Sequence, residues 1–215
     1  MNVTSKMWVV KLGGSLTRSR QLRAWLAVLA GRRELVLVPG GGPFADQVRS
    51  AQQILGFDDA TAHHLALLAM EQYGRALCAL HSGFAPATSL AEIRSLSAVG
   101  ITPVWMPVPL VLADPDLPCS WDLTSDSLAA WLGGRMGAQA LVLVKMAAVA
   151  PGPVDPEAME TLVRDAIVDP LLPGYARAGG LAVYLLADGE ANALDGLLAG
   201  RPVAKRPRRS ANQRA

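Results

Sequence analysis

The sequence predicts an α/β fold around a mainly parallel β-sheet. Apolar runs of strand length alternate with longer segments of helical period, which is the pattern of successive βαβ units. The chain has 215 residues, of which 51% are hydrophobic, and this is enough for one substantial core. We therefore expect residues 1–200 to form a single domain and residues 201–215 to form a basic, disordered tail.

Each predicted element has a recognisable composition. Short runs rich in Val and Leu predict strands. The predicted strands cover residues 7–12, 34–39, 101–106, 140–145 and 181–186. Segments of helical period that begin near Ser, Thr, Asp or Pro predict helices. The predicted helices cover residues 19–31, 43–55, 59–81, 89–98, 124–137 and 190–199.

Prolines interrupt this pattern in two places. Five prolines occur in the sixteen residues from Pro103 to Pro118. Proline cannot donate a backbone hydrogen bond, so this stretch is predicted to be extended and to contain one edge strand. The segment Pro151 to Pro156 follows the strand that ends at Lys145 and is predicted to be a loop at the same edge.

Composition narrows the cellular setting and the classes of partner. No apolar run approaches the roughly 20 residues of a membrane span, and the N-terminus lacks the features of a signal peptide. The two cysteines, Cys78 and Cys119, show no metal or redox spacing. The C-terminal basic residues have no aromatic residue among them, which favours a solvated tail over a nucleic-acid site. We expect a cytoplasmic protein with neither a membrane nor a nucleic-acid partner.

Two of the four lysines stand where a ligand site would form. Lys11 and Lys145 each end an apolar strand, whereas the chain has sixteen arginines elsewhere in the sequence. Ligands of open parallel sheets bind at the carboxyl ends of the strands. We therefore expect both ammonium groups to project into one crevice.

Two glycine turns follow predicted strands. Gly13, Gly14 and Ser15 come directly after Lys11 and Leu12, and the run Pro39–Pro43 contains three consecutive glycines. Glycine lets the backbone approach a ligand closely, and backbone N–H groups at the start of a helix bind anions. Neither turn matches the phosphate loop or the dinucleotide-binding motif. The two turns predict two phosphate cradles.

The segment from Trp121 to Asp126 opens a predicted helix. Thr124 or Ser125 can cap this helix, with Asp126 in its first turn. Asp126 either serves only the helix dipole or holds the two lysines by hydrogen bonds and reaches a magnesium ion. On the helix after the second glycine turn, Asp46 and Arg49 share a face and form either acceptor contacts or a surface ion pair.

These motifs, taken in order, resemble the amino acid kinase family. The matching segments are Val9–Ser15, Pro39–Gly42, Asp122–Asp126 and Val183–Gly189. The resemblance implies a three-layer α/β/α sandwich of the carbamate kinase type. It also implies ATP with Mg²⁺ as phosphoryl donor, a small phosphate or carboxylate as acceptor, and a homo-oligomer.

The resemblance also assigns roles to residues. The catalytic residues would be Lys11, Asp126 and Lys145. The nucleotide phosphates would contact Gly13, Gly14, Ser15, Asp188 and Gly189. The acceptor would contact Gly40, Gly41, Gly42, Asp46, Arg49, Asp122 and Thr124. No residue is assigned as a metal ligand with certainty.

Two further segments, Phe44–Arg49 and Ala62–Gly74, resemble the small kinases of methanofuran biosynthesis. Those enzymes convert an aminomethylfuran phosphate to its diphosphate. The alternatives are a kinase for a nucleoside monophosphate, a carboxylate or a carbamate, and a non-catalytic oxyanion-binding or nucleotide-binding subunit. The sequence departs from the family after Lys145, where Met146–Gly152 replaces an Asp-Gly loop, and at Pro202–Lys205, which replaces a Gly-Thr pair.

Overall fold

The part of the chain that this computed structural model describes, residues 7–146 and 151–199, contains a seven-stranded β-sheet. The strands are β1 (Trp8–Leu12), β2 (Leu35–Pro39), β3 (Phe84–Ala87), β4 (Thr102–Trp105), β5 (Ala140–Lys145), β6 (Gly152–Pro153) and β7 (Ala182–Ala187). Their order across the sheet is β3-β4-β2-β1-β5-β7-β6. All paired strands are parallel except β6 and β7, so the predicted α/β class is confirmed.

The central strand β1 brings the glycine turns and lysines to one edge of the sheet. Lys11 lies opposite Val38 of β2 and Leu143 of β5. Lys145 is the last residue of β5. Because parallel strands end at the same edge, both lysines and both glycine turns leave the sheet there.

Helices cover both faces of the sheet. The α-helices are α1 (Leu22–Leu29), α2 (Gly42–Leu55), α3 (Asp59–Leu80), α4 (Leu90–Ala98), α5 (Val108–Leu112), α6 (Ser125–Met136), α7 (Pro156–Arg164), α8 (Leu172–Ala178) and α9 (Ala191–Leu198). Short 3₁₀ helices, Gly14–Arg18 and Asp188–Glu190, follow β1 and β7. Over the described ranges, none of these helices is long and apolar enough to cross a lipid bilayer.

Alternate residues of β1 belong to two different cores. Val9 packs in a core that includes residues of α4, α6 and α8. Trp8, Val10 and Leu12 pack in a second core with residues of α1 and α9. Successive strand side chains point to opposite faces of a sheet, so the two cores lie on its two sides. The three-layer α/β/α sandwich is confirmed.

The sequence pattern located most elements of the sheet. All five predicted strands are present, and the predicted helices appear with small shifts at their ends. The helix predicted at 19–31 is the most shortened, to Leu22–Leu29, because Ser19 ends the preceding 3₁₀ helix and Ala30 is extended. The prediction missed β3, β6, α5, α7 and α8. The predicted tail, 201–215, and residues 147–150 of the loop after β5 lie outside the described residues.

The prediction of an extended, edge-type stretch from Pro103 to Pro118 is wrong. Strand β4 has β3 on one side and β2 on the other, so it is not an edge strand. Helix α5 follows, with Pro107 at its N-cap and a second proline in its first turn. Proline suits the first turn of a helix because those N–H groups have no partner within the helix. The second proline-rich segment, Pro151 to Pro156, is predicted to be a loop but contains β6. This strand pairs antiparallel with β7 and is the last strand on that side of the sheet.

The two glycine turns pack directly against each other. A Cβ atom on Gly14 would lie 2.0 Å from the Gly42 nitrogen, and one on Gly40 would lie 2.4 Å from the Gly14 nitrogen. Gly42 also has a φ of +54°, a conformation that residues with side chains rarely adopt. The glycines are therefore required for backbone-to-backbone contact between the turns after β1 and β2.

We expect Gly14→Ala to lower the free energy of unfolding by at least about 1–3 kcal/mol, the usual cost of overpacking. The added methyl group would overlap backbone atoms of Gly42, which cannot rotate away as a side chain could. Urea denaturation of both proteins measures this difference.

Gly196→Ala is the matched control. A Cβ atom on Gly196, in α9, would have nothing within 4 Å. Alanine is favoured over glycine inside a helix by roughly 0.5–1 kcal/mol, so this variant should be as stable as the wild type or more so. Equal stability of Gly14→Ala and Gly196→Ala would contradict the close contact between the two turns.

Candidate active site

Three charged side chains from three elements meet at the carboxyl edge of the sheet. Asp126, in the first turn of α6, lies between Lys11 of β1 and Lys145 of β5. Lys11 Nζ lies 2.8 Å from Asp126 Oδ1, and Lys145 Nζ donates a hydrogen bond to Asp126 Oδ2. Asp126 and Lys11 are only 2% and 5% exposed. Each oxygen of one buried carboxylate thus contacts a different ammonium group.

The pKa values of this cluster reflect burial and mutual attraction. Burial alone would raise the pKa of Asp126, but the charges and hydrogen bonds of the two lysines together outweigh it and hold this pKa below its ordinary value. Burial and the charge of Lys11 lower the pKa of Lys145, against the opposing effects of Asp126 and Asp169. With both lysines protonated, the cluster carries one net positive charge and suits an anion.

A pocket of about 280 Å³ adjoins the cluster. One wall is the backbone of Gly14, Gly41 and Gly42, where the two turns meet. Thr124 and Ser125, which directly precede Asp126, also line it. The apolar part of the lining includes Ala45, Ala66, Leu67, Met70, Leu123 and Leu128. The pocket therefore combines an apolar surface with the glycine turns and with the two residues that precede Asp126.

The glycine wall includes the N-terminus of α2. This helix runs from Gly42 to Leu55, and both Gly41 and Gly42 line the pocket. The first N–H groups of a helix have no partner within the helix, and the helix dipole favours negative charge at this end. The wall is therefore suited to bind a phosphate or a carboxylate.

Charged side chains surround the mouth of the pocket. They are Arg18, Asp46, Arg49 and Asp59. The Arg49 guanidinium lies over the Trp121 ring, 4.2 Å from its centroid. Cations attract the faces of aromatic rings, so this contact holds the side chain of an exposed arginine beside the pocket. The mouth offers both signs of charge to a ligand.

Gln52 connects the two sides of this mouth. The Trp121 indole N–H donates to Gln52 Oε1 at 2.8 Å, and Gln52 Nε2 donates to Asp59 Oδ1 at 2.8 Å. These bonds join α2, the start of α3 and the segment that leads into α6. The positions of Trp121 and Asp59 are therefore set by contacts between elements distant in sequence.

His63 is the buried imidazole of the pocket, with 6% of its surface exposed. Burial, together with the charge of His64, lowers its pKa below the ordinary histidine value. His63 is therefore neutral at pH 7. A neutral imidazole can donate one hydrogen bond and accept another.

The structure brings together most of the residues predicted from the sequence. Lys11, Asp126 and Lys145 form one cluster. The predicted site residues that line the adjoining pocket are Gly14, Ser15, Gly41, Gly42, Asp46, Arg49 and Thr124. Gly40 packs behind them against Gly14, and the Gly13 N–H donates to the Val144 carbonyl at 3.2 Å.

Three other predicted residues belong neither to the charged cluster, nor to the two glycine turns, nor to the pocket lining. Asp122 is exposed. Asp188 accepts a hydrogen bond from the Ser19 hydroxyl at 2.7 Å, and its backbone carbonyl accepts one from the Trp25 indole at 2.7 Å. Gly189, next in the chain, is exposed. Asp188 thus ties the start of α1 to the end of β7, and its predicted contact with a nucleotide stays a prediction.

The structure corrects how α6 is capped. Thr124 occupies the N-cap position, but its side chain makes no capping bond to the helix. Asp169, from the connection between α7 and α8, accepts hydrogen bonds from the Thr124 hydroxyl at 2.6 Å and from the Ser127 N–H at 3.0 Å. The sequence gives no sign of this role of Asp169, because a cap supplied from 42 residues away leaves no local pattern.

Both carboxylate oxygens of Asp126 contact lysines, and the magnesium contact considered for this residue stays a prediction. Within residues 7–146 and 151–199, no group of three His, Cys, Asp or Glu side chains is placed to hold a metal ion. Magnesium commonly binds through substrate phosphates with few protein ligands. A metal ion that accompanies nucleotide phosphates is compatible with this site.

Comparison with known sequences gives two matches. Residues 6–148 match the sequence profile described as the amino acid kinase family. The (5-(aminomethyl)furan-3-yl)methyl phosphate kinase of Methanocaldococcus jannaschii is 29% identical over 140 residues. That alignment spans 64% of this chain and 64% of the M. jannaschii protein.

Solved structures of similar fold include three kinases. The uridylate kinase of Archaeoglobus fulgidus has a TM-score of 0.69 at 18% identity, over 92% of this chain and 97% of that chain. The UMP kinase of Bacillus anthracis gives 0.65 at 17% identity, over 92% and 93% of the two chains. The UMP kinase of Ureaplasma parvum gives 0.64 at 13% identity, over 94% and 95%. These similarities confirm the predicted amino acid kinase fold.

We expect Asp126→Asn to lower the free energy of unfolding at pH 7 by roughly 3–5 kcal/mol, the usual cost of removing one partner from a buried ion pair. The variant would leave the buried ammonium group of Lys11 and the partly buried one of Lys145 without their carboxylate. Because the pKa of Asp126 is lowered, its stabilisation is complete above the pKa of an unfolded aspartate and is lost as the pH falls through the folded-state pKa. The difference between the two proteins should therefore narrow in acid.

Urea denaturation across pH measures this effect. Asp165→Asn is the control, because Asp165 is exposed and lies 3.8 Å from an exposed arginine. This control should unfold at the wild-type urea concentration. An Asp126→Asn protein as stable as the wild type at pH 7 would show that the two ion pairs contribute no net stability.

Proposed function

This chain belongs to the amino acid kinase family, and we propose that it is a kinase that transfers a phosphoryl group from ATP to an aminomethylfuran phosphate, forming the diphosphate. The observation that supports this proposal is the Lys11–Asp126–Lys145 cluster beside a pocket walled by backbone N–H groups. Phosphoryl transfer depends chiefly on positioning and on neutralising charge. A non-catalytic binding subunit would have little use for two ammonium groups on one buried carboxylate.

The donor half of the proposal is ATP with Mg²⁺. Lys11 and Lys145 each have three N–H donors, and Asp126 engages only part of this capacity. The remaining donors, with the backbone after β1, would hold the β- and γ-phosphates. Mg²⁺ would supply further neutralisation of phosphate charge through the phosphate oxygens. We also propose that Asp188 and Gly189 contact the nucleotide.

The acceptor half rests on the shape and charge of the pocket. Its volume of about 280 Å³ and its apolar lining suit a small ring. The glycine wall and Arg18 would bind the phosphate, while Asp46 or Asp59 would bind an ammonium group. An aminomethylfuran phosphate carries these three features: a ring, a phosphate and an amine.

The proposed reaction requires no general base. An oxygen of the acceptor phosphate attacks the γ-phosphorus of ATP, the bond from that phosphorus to the β-phosphate oxygen breaks, and ADP leaves with that electron pair. A phosphate monoester is anionic at neutral pH, so no proton has to be removed from the attacking oxygen. Lys11 and Lys145 would stabilise the charge on the transferred group, and Asp126 would hold both lysines in place.

The alternative acceptor is UMP or another small anion. The kinases with similar structures are 13–18% identical, which shows only the shared fold. The M. jannaschii kinase is 29% identical and its printed acceptor is an aminomethylfuran phosphate, which favours that acceptor here. We also propose that the protein is a cytoplasmic homo-oligomer without a nucleic-acid partner. Light scattering would test the oligomeric state, and a binding assay would test for nucleic-acid binding.

A coupled assay of ADP release tests the acceptor. We expect turnover with (5-(aminomethyl)furan-3-yl)methyl phosphate, and kcat/KM at least tenfold lower with UMP, since a missing buried polar contact costs about 1–3 kcal/mol. A higher kcat/KM with UMP would show that UMP, and not the aminomethylfuran phosphate, is the preferred acceptor. ATP binding without turnover on any acceptor would favour a binding protein.

Lys11→Ala should lower kcat by roughly 100-fold to 1000-fold, the usual effect of losing one preorganised donor to developing charge. The fold should survive, because Asp126 keeps its contact with Lys145. Circular dichroism checks the fold, and Arg94→Ala, an exposed change in α4, is the control. Unchanged ADP release by the Lys11→Ala protein would eliminate the catalytic role of this lysine.

Arg49→Met should raise the KM for the acceptor about tenfold and leave the KM for ATP unchanged. The change removes a charged donor at the pocket mouth but keeps an unbranched side chain beside Trp121. Arg94→Met is the matched control. If the KM for the acceptor stays at the wild-type value, Arg49 is only a surface residue stacked on Trp121.

A further inference from the structure

Asp169 holds the N-terminus of α6 from outside that helix. Its Oδ2 accepts hydrogen bonds from the Thr124 N–H at 3.1 Å and the Ser127 N–H at 3.0 Å. Its Oδ1 accepts one from the Thr124 hydroxyl at 2.6 Å. A carboxylate that accepts from N–H groups at a helix start does the work of an N-cap side chain. Here that carboxylate comes from the connection between α7 and α8.

The segment held by Asp169 contributes to both parts of the site. Thr124 and Ser125 line the acceptor pocket. Asp126 contacts Lys11 and Lys145. Because Thr124 makes no side-chain cap of its own, Asp169 accounts for the side-chain capping of this helix start. A shift of the first turn of α6 would move Asp126 away from one or both lysines.

Asp169 also acts on Lys145 through its charge. The charged groups that face Lys145 are Lys11 from β1, Asp126 from α6 and Asp169. Burial and Lys11 lower the pKa of Lys145, whereas Asp126 and Asp169 raise it. Asp169 therefore helps to keep the Lys145 side chain in its ammonium form.

We infer that Asp169 is a positioning residue for phosphoryl transfer, which fixes the first turn of α6 so that Asp126 lies between Lys11 and Lys145. This inference rests on the proposed function. Asp169 touches neither substrate in this role. Its effect on the reaction passes through the Asp126 carboxylate and through the charge of Lys145.

The first test compares Asp169→Ala and Asp169→Asn with the wild type. Alanine removes all three hydrogen bonds, and asparagine keeps an oxygen acceptor but loses the charge. We expect kcat to fall roughly 100-fold in the alanine variant, as for a misplacement of about 1 Å in an active site, and less in the asparagine variant. The KM for ATP should change little in the asparagine variant, and its urea midpoint should stay near that of the wild type.

Asp165→Asn is the control for the same test. Asp165 lies four residues earlier, is exposed and faces Arg164. It should match the wild type in kcat, KM and stability. If Asp169→Ala keeps the wild-type kcat, or if its loss of activity equals the fraction of unfolded protein, Asp169 has no positioning role.

A second test needs no turnover. The chain has only four lysines, Lys6, Lys11, Lys145 and Lys205, so ¹³C-lysine labelling gives an NMR spectrum that Lys145→Arg can assign. The Cε signal of Lys145 should titrate at lower pH in Asp169→Asn than in the wild type, because the charge that favours the ammonium form is lost. Titration at the wild-type pH would overturn the inference.

The two tests separate the inference from the proposed function. If the wild type fails to release ADP with every acceptor tested, the proposed function fails. The titration of Lys145 then still decides whether Asp169 acts on the cluster. The proposed function stands and the inference fails if the wild type turns over, Asp169→Ala matches it in kcat, and Asp169→Asn matches it in the titration of Lys145.

Discussion

The paired contacts of Asp126 with Lys11 and Lys145 constrain the rest of this fold. Buried charges are tolerated only when they are paired and hydrogen-bonded. Asp126 is 2% exposed, so both of its partners must reach it from the surrounding elements. Neighbouring parallel strands meet this requirement, because β1 and β5 end at the same edge and α6 begins there. The order of the strands in the sheet therefore brings the charged cluster together.

The contact between the two glycine turns adds the second part of the site. Gly14 and Gly42 approach so closely that neither position has room for a side chain. This contact places the N-terminus of α2 next to the turn after β1, and both line one pocket. The N-terminus of α2 and the two lysines then lie at the same end of the sheet. Their electrostatic effects have the same sign and favour an anion.

Contacts between distant segments complete the site. Trp121 and Gln52 are 69 residues apart in sequence, and Thr124 and Asp169 are 45 apart. One contact orders the mouth of the pocket, and the other orders the helix that carries Asp126. Both act on side chains that would otherwise sample several rotamers, since a preorganised site needs neighbours that restrict its own residues. The connection between α7 and α8 is thus part of the site although it lies outside the sheet.

The sequence by itself determined the α/β class, the five main strands and the three charged residues, because apolar periodicity, glycine turns and lysines at strand ends are local patterns. It did not predict α5, α7 or α8, and it wrongly predicted β4 to be an edge strand. A proline in the first turn of a helix and a proline in a paired strand cannot be told apart without their neighbours in space. Only the tertiary structure decided that Asp169 caps α6 and that Asp188 pairs with Ser19. These bonds join residues distant in sequence, and their geometry depends on packing, which no local pattern records.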